Sequence, residues 1–162
     1  RIIRADFEDF SVLSVYVPSA SNIERLDFKL QFAEDFLEYI KKLQREIPNL
    51  VICGDFNICH EEIDIHNPKG LKNTSGFLPV EREWMTKFLK ECNLIDSFRY
   101  LHPDKQEFSW WSYRQNSRAK NLGWRLDYHF ITKSLENQLE RALILKEAVH
   151  SDHCPVYIEL KD

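Results

Sequence analysis

The chain has 162 residues, enough for one domain with a sizeable core, and its 43% apolar and 13% aromatic content describes a globular protein rather than a disordered one. Its 26 acidic and 22 basic residues give a net charge of −4, which excludes a uniformly basic nucleic-acid binder but leaves room for a local basic face. No window approaches the apolar length a membrane span needs, and no signal-peptide pattern is visible.

The opening "RIIRADFEDFSVLSVYVP" reads at once as strand, with residues 1–7 and 10–17 forming a hairpin about Glu8-Asp9. Leu26, Leu30, Ala33, Phe36 or Leu37, Ile40, Leu43 and Ile47 then repeat at helical spacing, so residues 23–46 are expected to form one amphipathic helix capped by Ser21 or Asn22. Pro48-Asn49 ends it, and "LVICG" at 50–54 reads as a buried strand. Residues 58–79 are polar and irregular in pattern. A second helix is expected over 80–92, with Val80, Trp84, Phe88 and Cys92 on one face, and strands are expected at 106–113, 124–132, 141–149 and 153–160. This mixture of strands and helices predicts a layered α/β or α+β sandwich. Cys53, Cys59, Cys92 and Cys154 contain no C-x-x-C pair, so a reduced, cytoplasmic protein is expected and a zinc site is not.

Four polar clusters stand out. Asp55 and Asn57 end the strand "VICGDFN", where alternation would point both side chains to one side. In "WRLDYHF", alternation puts Arg125, Asp127 and His129 on one face and Trp124, Leu126, Tyr128 and Phe130 on the other. In "HSDHCPVYIEL", Asp152 and His153 offer a hard-metal ligand and a titratable imidazole just before a strand. The segments "NPKGLKN" and "YRQNSRAKN" place basic and amide groups in polar loops. Each alone has a plain structural explanation: a strand-end turn, a half-exposed strand face, a structural histidine, a solvated loop. Together they supply what phosphodiester hydrolysis needs, namely an oriented water, a proton acceptor, a cation site and donors to the phosphate oxygens.

"SVYVPSAS", "GDFN", "HEEIDIHNPKG", "GWRLDYHF" and "SDHCPV", in that order, resemble exodeoxyribonuclease III and the related apurinic/apyrimidinic endonucleases of the endonuclease/exonuclease/phosphatase superfamily. The resemblance implies a four-layered α/β sandwich with two packed, mainly antiparallel sheets and an active site at one end. It implies DNA cleavage 5′ to abasic sites and removal of 3′ nucleotides or 3′ blocking groups, with Mg²⁺ or Mn²⁺. By the same resemblance Tyr16 contacts the phosphate, Asp55 orients or deprotonates the attacking water, and Asn57 helps hold phosphate and water. Asp127 partners the catalytic His153. Asp152, Asp55 and Asn57 are the metal-site candidates. Trp110, Trp124 and Leu126 line a pocket for a flipped-out abasic sugar, and Asn116, Lys69, Lys72 and Asn73 lie in DNA-contacting loops.

The family's first strand, with its asparagine, and its later "QE" glutamate have no counterpart here, so the chain is expected to represent the C-terminal portion of a single domain and to be inactive alone. "SASN" stands where some relatives carry a DNA-wedging arginine, and Leu71 where some carry an asparagine. The expected partner is double-stranded DNA with abasic sites or 3′ ends, bound by a monomer without membrane contact, in a bacterial-type cytoplasm at the nucleoid. The alternatives are another phosphodiesterase or phosphatase of the superfamily, or a non-catalytic fragment.

Overall fold

The computed structural model describes residues 1–20 and 24–161. The expected helix cap at Ser21 or Asn22, and residue 23 of the expected helix, lie outside them.

The hairpin forms as expected: β1 (Ile2–Asp6) pairs antiparallel with β2 (Ser11–Tyr16). Helix α1 (Glu24–Leu43) then leads back to β3 (Leu50–Asp55), which runs parallel to β2. The helix ends at Leu43 and residues 44–46 form a turn, three residues short of the expected end. Helix α2 (Pro68–Leu71) and helix α3 (Pro79–Glu91) follow. The short strand β4 (Leu94–Asp96) and helix α4 (Ser97–Leu101), whose first turn is capped by the Asp96 side chain, have no counterpart in the sequence reading.

The expected strand at 106–113 shrinks to β5 (Trp110–Trp111); Phe108 and Ser109 before it are buried but lie outside any strand. The expected strand at 124–132 splits into β6 (Gly123–Trp124) and β7 (Asp127–Thr132). The chain ends in an antiparallel pair, β8 (Leu139–Ile144) and β9 (Val156–Leu160). Thus β8 lies earlier than the expected 141–149, and β9 starts only after Pro155.

The main sheet has the order β1-β2-β3-β7-β4, with only the β2–β3 pairing parallel. Alternation sorts its side chains into two faces. Leu13, Ile52 and Phe130 point toward α1 and α3 and share a core with Phe36, Ile40 and Phe88. Val51 and Ile131 point the other way and pack with Leu139, Ile158 and Leu160 of the β8–β9 pair. Helices, main sheet and second sheet are therefore stacked, in agreement with the expected α/β sandwich with two packed, mainly antiparallel sheets.

Two burial expectations fail. Val80 is 42% exposed, while Glu81 takes the interior position beside Trp84 and Phe88. Arg125 does not sit on a half-exposed face: it lies between β6 and β7 and is fully buried. Its guanidinium makes two hydrogen bonds to Asp64 (2.8 and 2.9 Å) and two to Asp96 (3.1 and 2.7 Å), and lies 4.4 Å from the Tyr128 ring centroid. Paired donors facing paired acceptors make this charge tolerable in the interior.

Candidate active site

The strand register assembles the site. Tyr16 of β2 lies opposite Asp55 of β3, and Asp55 lies opposite Asp127 of β7. The three are abreast at one end of the main sheet, on the face turned away from α1 and α3 by the alternation just described. Gly54 makes this close approach possible. It has φ +135°, and a Cβ there would fall 1.9 Å from the Val15 carbonyl oxygen.

Asp55 and Asn57 do meet, but not by strand alternation. The strand stops at Asp55, and Asn57 takes a left-handed backbone with φ 51°. The Asp55 carboxylate accepts from the Asn57 backbone N–H (2.8 Å) and from Asn57 Nδ2 (3.1 Å). Asn57 Nδ2 also donates to the Val17 carbonyl (2.9 Å). Both amide hydrogens are thus committed, and Asn57 offers the cleft its Oδ1 acceptor. Between these two residues Phe56 points into the core, fully buried, with its ring centroid 4.8 Å from that of Phe130. Truncating a core aromatic costs roughly 3–5 kcal/mol, so Phe56 is a strong anchor for the two polar residues beside it.

His153 comes from the loop before β9. Its Nδ1 lies 2.8 Å from Asp127 Oδ2. A carboxylate accepts, so Nδ1 carries the proton and Nε2 is the ring nitrogen free of that bond. Ser109, fully buried and absent from the sequence reading, completes the arrangement. Its hydroxyl donates to the same Asp127 oxygen (2.7 Å) and accepts the backbone N–H groups of Leu126 and Asp127 (3.0 Å each). The histidine loop is fastened through its backbone: Cys154 N–H donates to the Ser109 carbonyl (2.8 Å), and Trp111 N–H to the Asp152 carbonyl (2.9 Å).

The charges shape one another. Burial, then the facing Asp127 carboxylate, pushes Asp55 up to about 6, against the Asn57 N–H and the charges of His153 and Lys29. Desolvation works against a charged His153. The hydrogen bond to Asp127 and the charges of Asp127, Asp55 and Asp152 outweigh it, and the imidazole is raised above its ordinary value. Burial alone would raise Asp152; hydrogen bonds from Trp110 and Ser151 and the charge of His153 bring it below the ordinary range instead.

Tyr16, Asp55, Asn57, Trp110, Trp124, Leu126 and His153 line one cleft of about 430 Å³, together with Ser19, Ala20, Thr74, Ser75 and Gly76. Trp110 and Trp124 meet edge to face, 6.2 Å between centroids, and form its aromatic wall. Asp127 stands behind His153 and does not line the cleft. The remaining expected residues also lie outside its lining. Asp152 is engaged by Trp110 Nε1 (3.0 Å) and Ser151 Oγ (3.2 Å). Lys69, Lys72 and Asn73 are exposed around α2, a short helix capped by Asn67 where the sequence reading expected irregular chain. Asn116 is exposed on the 114–116 turn with φ 54°.

The described residues do not compose a metal site by themselves. No three His, Cys, Asp or Glu side chains among them are arranged to hold an ion. Both Asp55 oxygens already accept from Asn57, and both Asp152 oxygens from Trp110 and Ser151. Hard oxygen donors are present at the cleft in Asp55 and Asn57, but as a partial set.

Known proteins resemble this chain in sequence and in fold. The chain is 45% identical over 158 residues to an exodeoxyribonuclease of Bacillus subtilis, aligning 96% of its own length with 62% of that protein. It is 44% identical over 162 residues to the DNA repair nuclease APEX1 of Danio rerio, aligning 99% of its length with 52% of that protein. It therefore spans between half and two thirds of these relatives. Among solved structures, the 3′ phosphatase NExo from Neisseria, bound to a product DNA hairpin, superimposes with a TM-score of 0.92 at 26% identity, over 99% of this chain and 65% of that one. The pattern of the Endonuclease/Exonuclease/phosphatase family matches residues 1–153, from the first strand through the histidine that pairs with Asp127. With the register-built row of Tyr16, Asp55 and Asp127 completed by His153, the chain belongs to the Endonuclease/Exonuclease/phosphatase family.

Proposed function

We propose that this chain carries much of the active site of a DNA-repair nuclease that hydrolyses phosphodiesters 5′ to abasic sites and removes 3′ nucleotides or 3′ blocking groups. The observation that carries the reading is the Asp127–His153 hydrogen bond at the end of a cleft that also holds Asp55 and a two-tryptophan wall. Above its raised pKa, Asp55 is a carboxylate able to take a proton from water, and Asn57 Oδ1 can accept from the same water and orient it. His153, protonated and held by Asp127, aims a charged donor from Nε2 at the phosphoryl oxygen where negative charge grows. Tyr16, half-exposed at the rim, supplies a phenolic donor. The tryptophan wall suits an extruded sugar, since an abasic nucleotide has no base to unstack.

The Mg²⁺ or Mn²⁺ requirement is part of the proposal. A hard cation would supply charge stabilisation to the phosphate, and Asp55, Asn57 and Asp152 are its candidate contacts in this chain. Double-stranded DNA is the proposed partner of a monomeric enzyme, with Lys69, Lys72, Asn73 and Asn116 as loop contacts. A cytoplasmic setting belongs to the same reading, and all four cysteines are free thiols.

The test offers the full-length gene product, with divalent metal, three substrates: a duplex with one abasic site, a duplex with a recessed 3′ end, and an inositol phosphate. Cleavage of the two DNAs and not of the third supports the proposal. Turnover of the inositol phosphate alone replaces it with a phosphatase reading.

A further inference from the structure

Helix α1 places a lysine on its apolar stripe. Lys29 is in line with Ala33, Phe36 and Ile40, and only 1% of it is exposed. Its ammonium donates to Glu81 Oε1 (2.5 Å) and to the backbone carbonyl of Asn57 (2.8 Å). Glu81 is fully buried, and its second oxygen accepts the backbone N–H groups of Gly76 (2.6 Å) and Leu78 (2.9 Å). The two loops so held are also tied directly, by Cys59 N–H to the Gly76 carbonyl (2.7 Å). Gly76 sits at φ +93°, where a Cβ would lie 3.2 Å from the Asn57 carbonyl oxygen and 3.1 Å from the Trp124 ring.

A buried ion pair is a poor way to gain stability, because an apolar pair of similar volume often does as well or better. What this pair does, and an apolar pair cannot, is hold three backbone polar groups in two loops that both line the cleft. One of those groups is the carbonyl of the residue in left-handed conformation. Drawing that carbonyl inward to Lys29 fixes the turn from which the Asn57 side chain reaches Asp55.

We infer that Lys29 and Glu81 are positioning residues: their buried pair clamps the Asn57 carbonyl and the 76–78 backbone, and so fixes Asn57 and Asp55 against the cleft. The inference rests on the nuclease reading for its kinetic consequence, but not for its structural one. Neither side chain lines the cleft; the pair acts through the Asn57 peptide, and Lys29 also acts through its charge on Asp55, so the position of the Asn57 peptide is the readout particular to the clamp.

The test uses the full-length gene product and two variants. Lys29→Met removes the donor to Asn57 and leaves Glu81 capping Gly76 and Leu78. The double variant Lys29→Met/Glu81→Gln removes both charges and keeps an acceptor for Gly76. The readouts are single-turnover cleavage of an abasic-site duplex at 10 °C, Kd for the same duplex, the melting temperature, and a crystal structure of the double variant. Expected is a folded double variant with unchanged Kd, a single-turnover rate reduced ~10–10²-fold, the scale of a misplacement of about 1 Å, and an Asn57 peptide that leaves its left-handed conformation. A wild-type rate in either folded variant overturns the inference, as does an unmoved Asn57 peptide. Unfolding of both variants at 10 °C also overturns it, by making the pair a requirement of the fold alone. If the wild type itself cleaves no phosphodiester, the nuclease reading fails, and the Asn57 geometry of the double variant still decides the clamp.

Discussion

Asp55 and Asp127 face each other directly across β3 and β7, two carboxylates in one register pair. Like charges so placed cannot both ionise freely, and the two are given different partners. Asp127 is bonded to His153 and Ser109, while Asp55, half-buried, has the Asn57 N–H groups and is raised to about 6. That asymmetry divides the labour: Asp127 is committed to holding the imidazole, and Asp55, raised to about 6, is the group placed to exchange a proton near neutrality.

This asymmetry sets a pH profile. Single-turnover cleavage is expected to rise as Asp55 deprotonates near pH about 6 and to fall at higher pH as His153, raised above 6.5, loses its proton. Replacing Asp127→Asn lowers the Asp55 pKa toward its ordinary value, since one like charge is removed while burial remains. Carboxyl ¹³C shifts followed by NMR titration measure this directly, and an Asp55 titrating no higher than an exposed aspartate contradicts it.

The Asp127–His153 bond predicts non-additive kinetics. His153→Ala is expected to slow single-turnover cleavage ~10²–10³-fold with little change in DNA affinity, the usual cost of losing one donor aimed at developing charge. Asp127→Asn is expected to be similar or milder, and the double variant little worse than His153→Ala alone. Full additivity in that cycle would mean the two residues act separately. A loss of thermal stability with an unchanged rate in the folded fraction would make His153 structural.

Much of this site is legible in the sequence, and the gaps have physical causes. Asp55, Asn57, Asp127 and His153 stand in short motifs at strand ends, where a polar residue after an apolar run is conspicuous. Lys29 does not register in a periodicity of apolar residues, although its place on the stripe with Ala33, Phe36 and Ile40 is the available signal. Strand alternation puts Arg125 on a half-exposed face only if it runs through residues 125–126, but the chain leaves β6 there before β7 begins. Ser109 gives no sequence signal at all: a lone serine before two tryptophans acquires its role only when β7 is brought alongside. Strand β4 and helix α4 are too short for any period to register, and the hairpin, α1, β3 and α3 are long enough that it does.

The Arg125 network predicts a stability defect without a chemical one. Arg125→Met leaves Asp64 and Asp96 buried without their main cation, and breaking a buried pair on one side costs roughly 3–5 kcal/mol. Urea unfolding of the full-length protein is the measurement, and a change below 1 kcal/mol would show that roughly nothing of the network's charge is desolvated.

His129 predicts acid sensitivity. Burial holds its imidazole down to about 4, against the charges of Asp127 and Asp96. A depressed folded-state histidine means that the unfolded chain binds the extra proton between pH 6.5 and about 4, so stability is full above 6.5 and declines as pH falls through that window. After discounting for partial exposure the loss is about 2 kcal/mol. His129→Gln is expected to flatten that part of the stability-versus-pH curve, and an unchanged slope would remove His129 as its source.

The most direct measurement is single-turnover incision of a duplex carrying one abasic site by the full-length gene product in Mg²⁺, wild type beside Asp55→Ala, with Kd determined in the same salt. The account predicts incision 5′ to the abasic site by the wild type, and a loss of at least ~10² in rate for Asp55→Ala at similar affinity, because the attacking water loses its base. Equal rates for the two proteins, or no incision by the wild type while it binds the duplex, would contradict it.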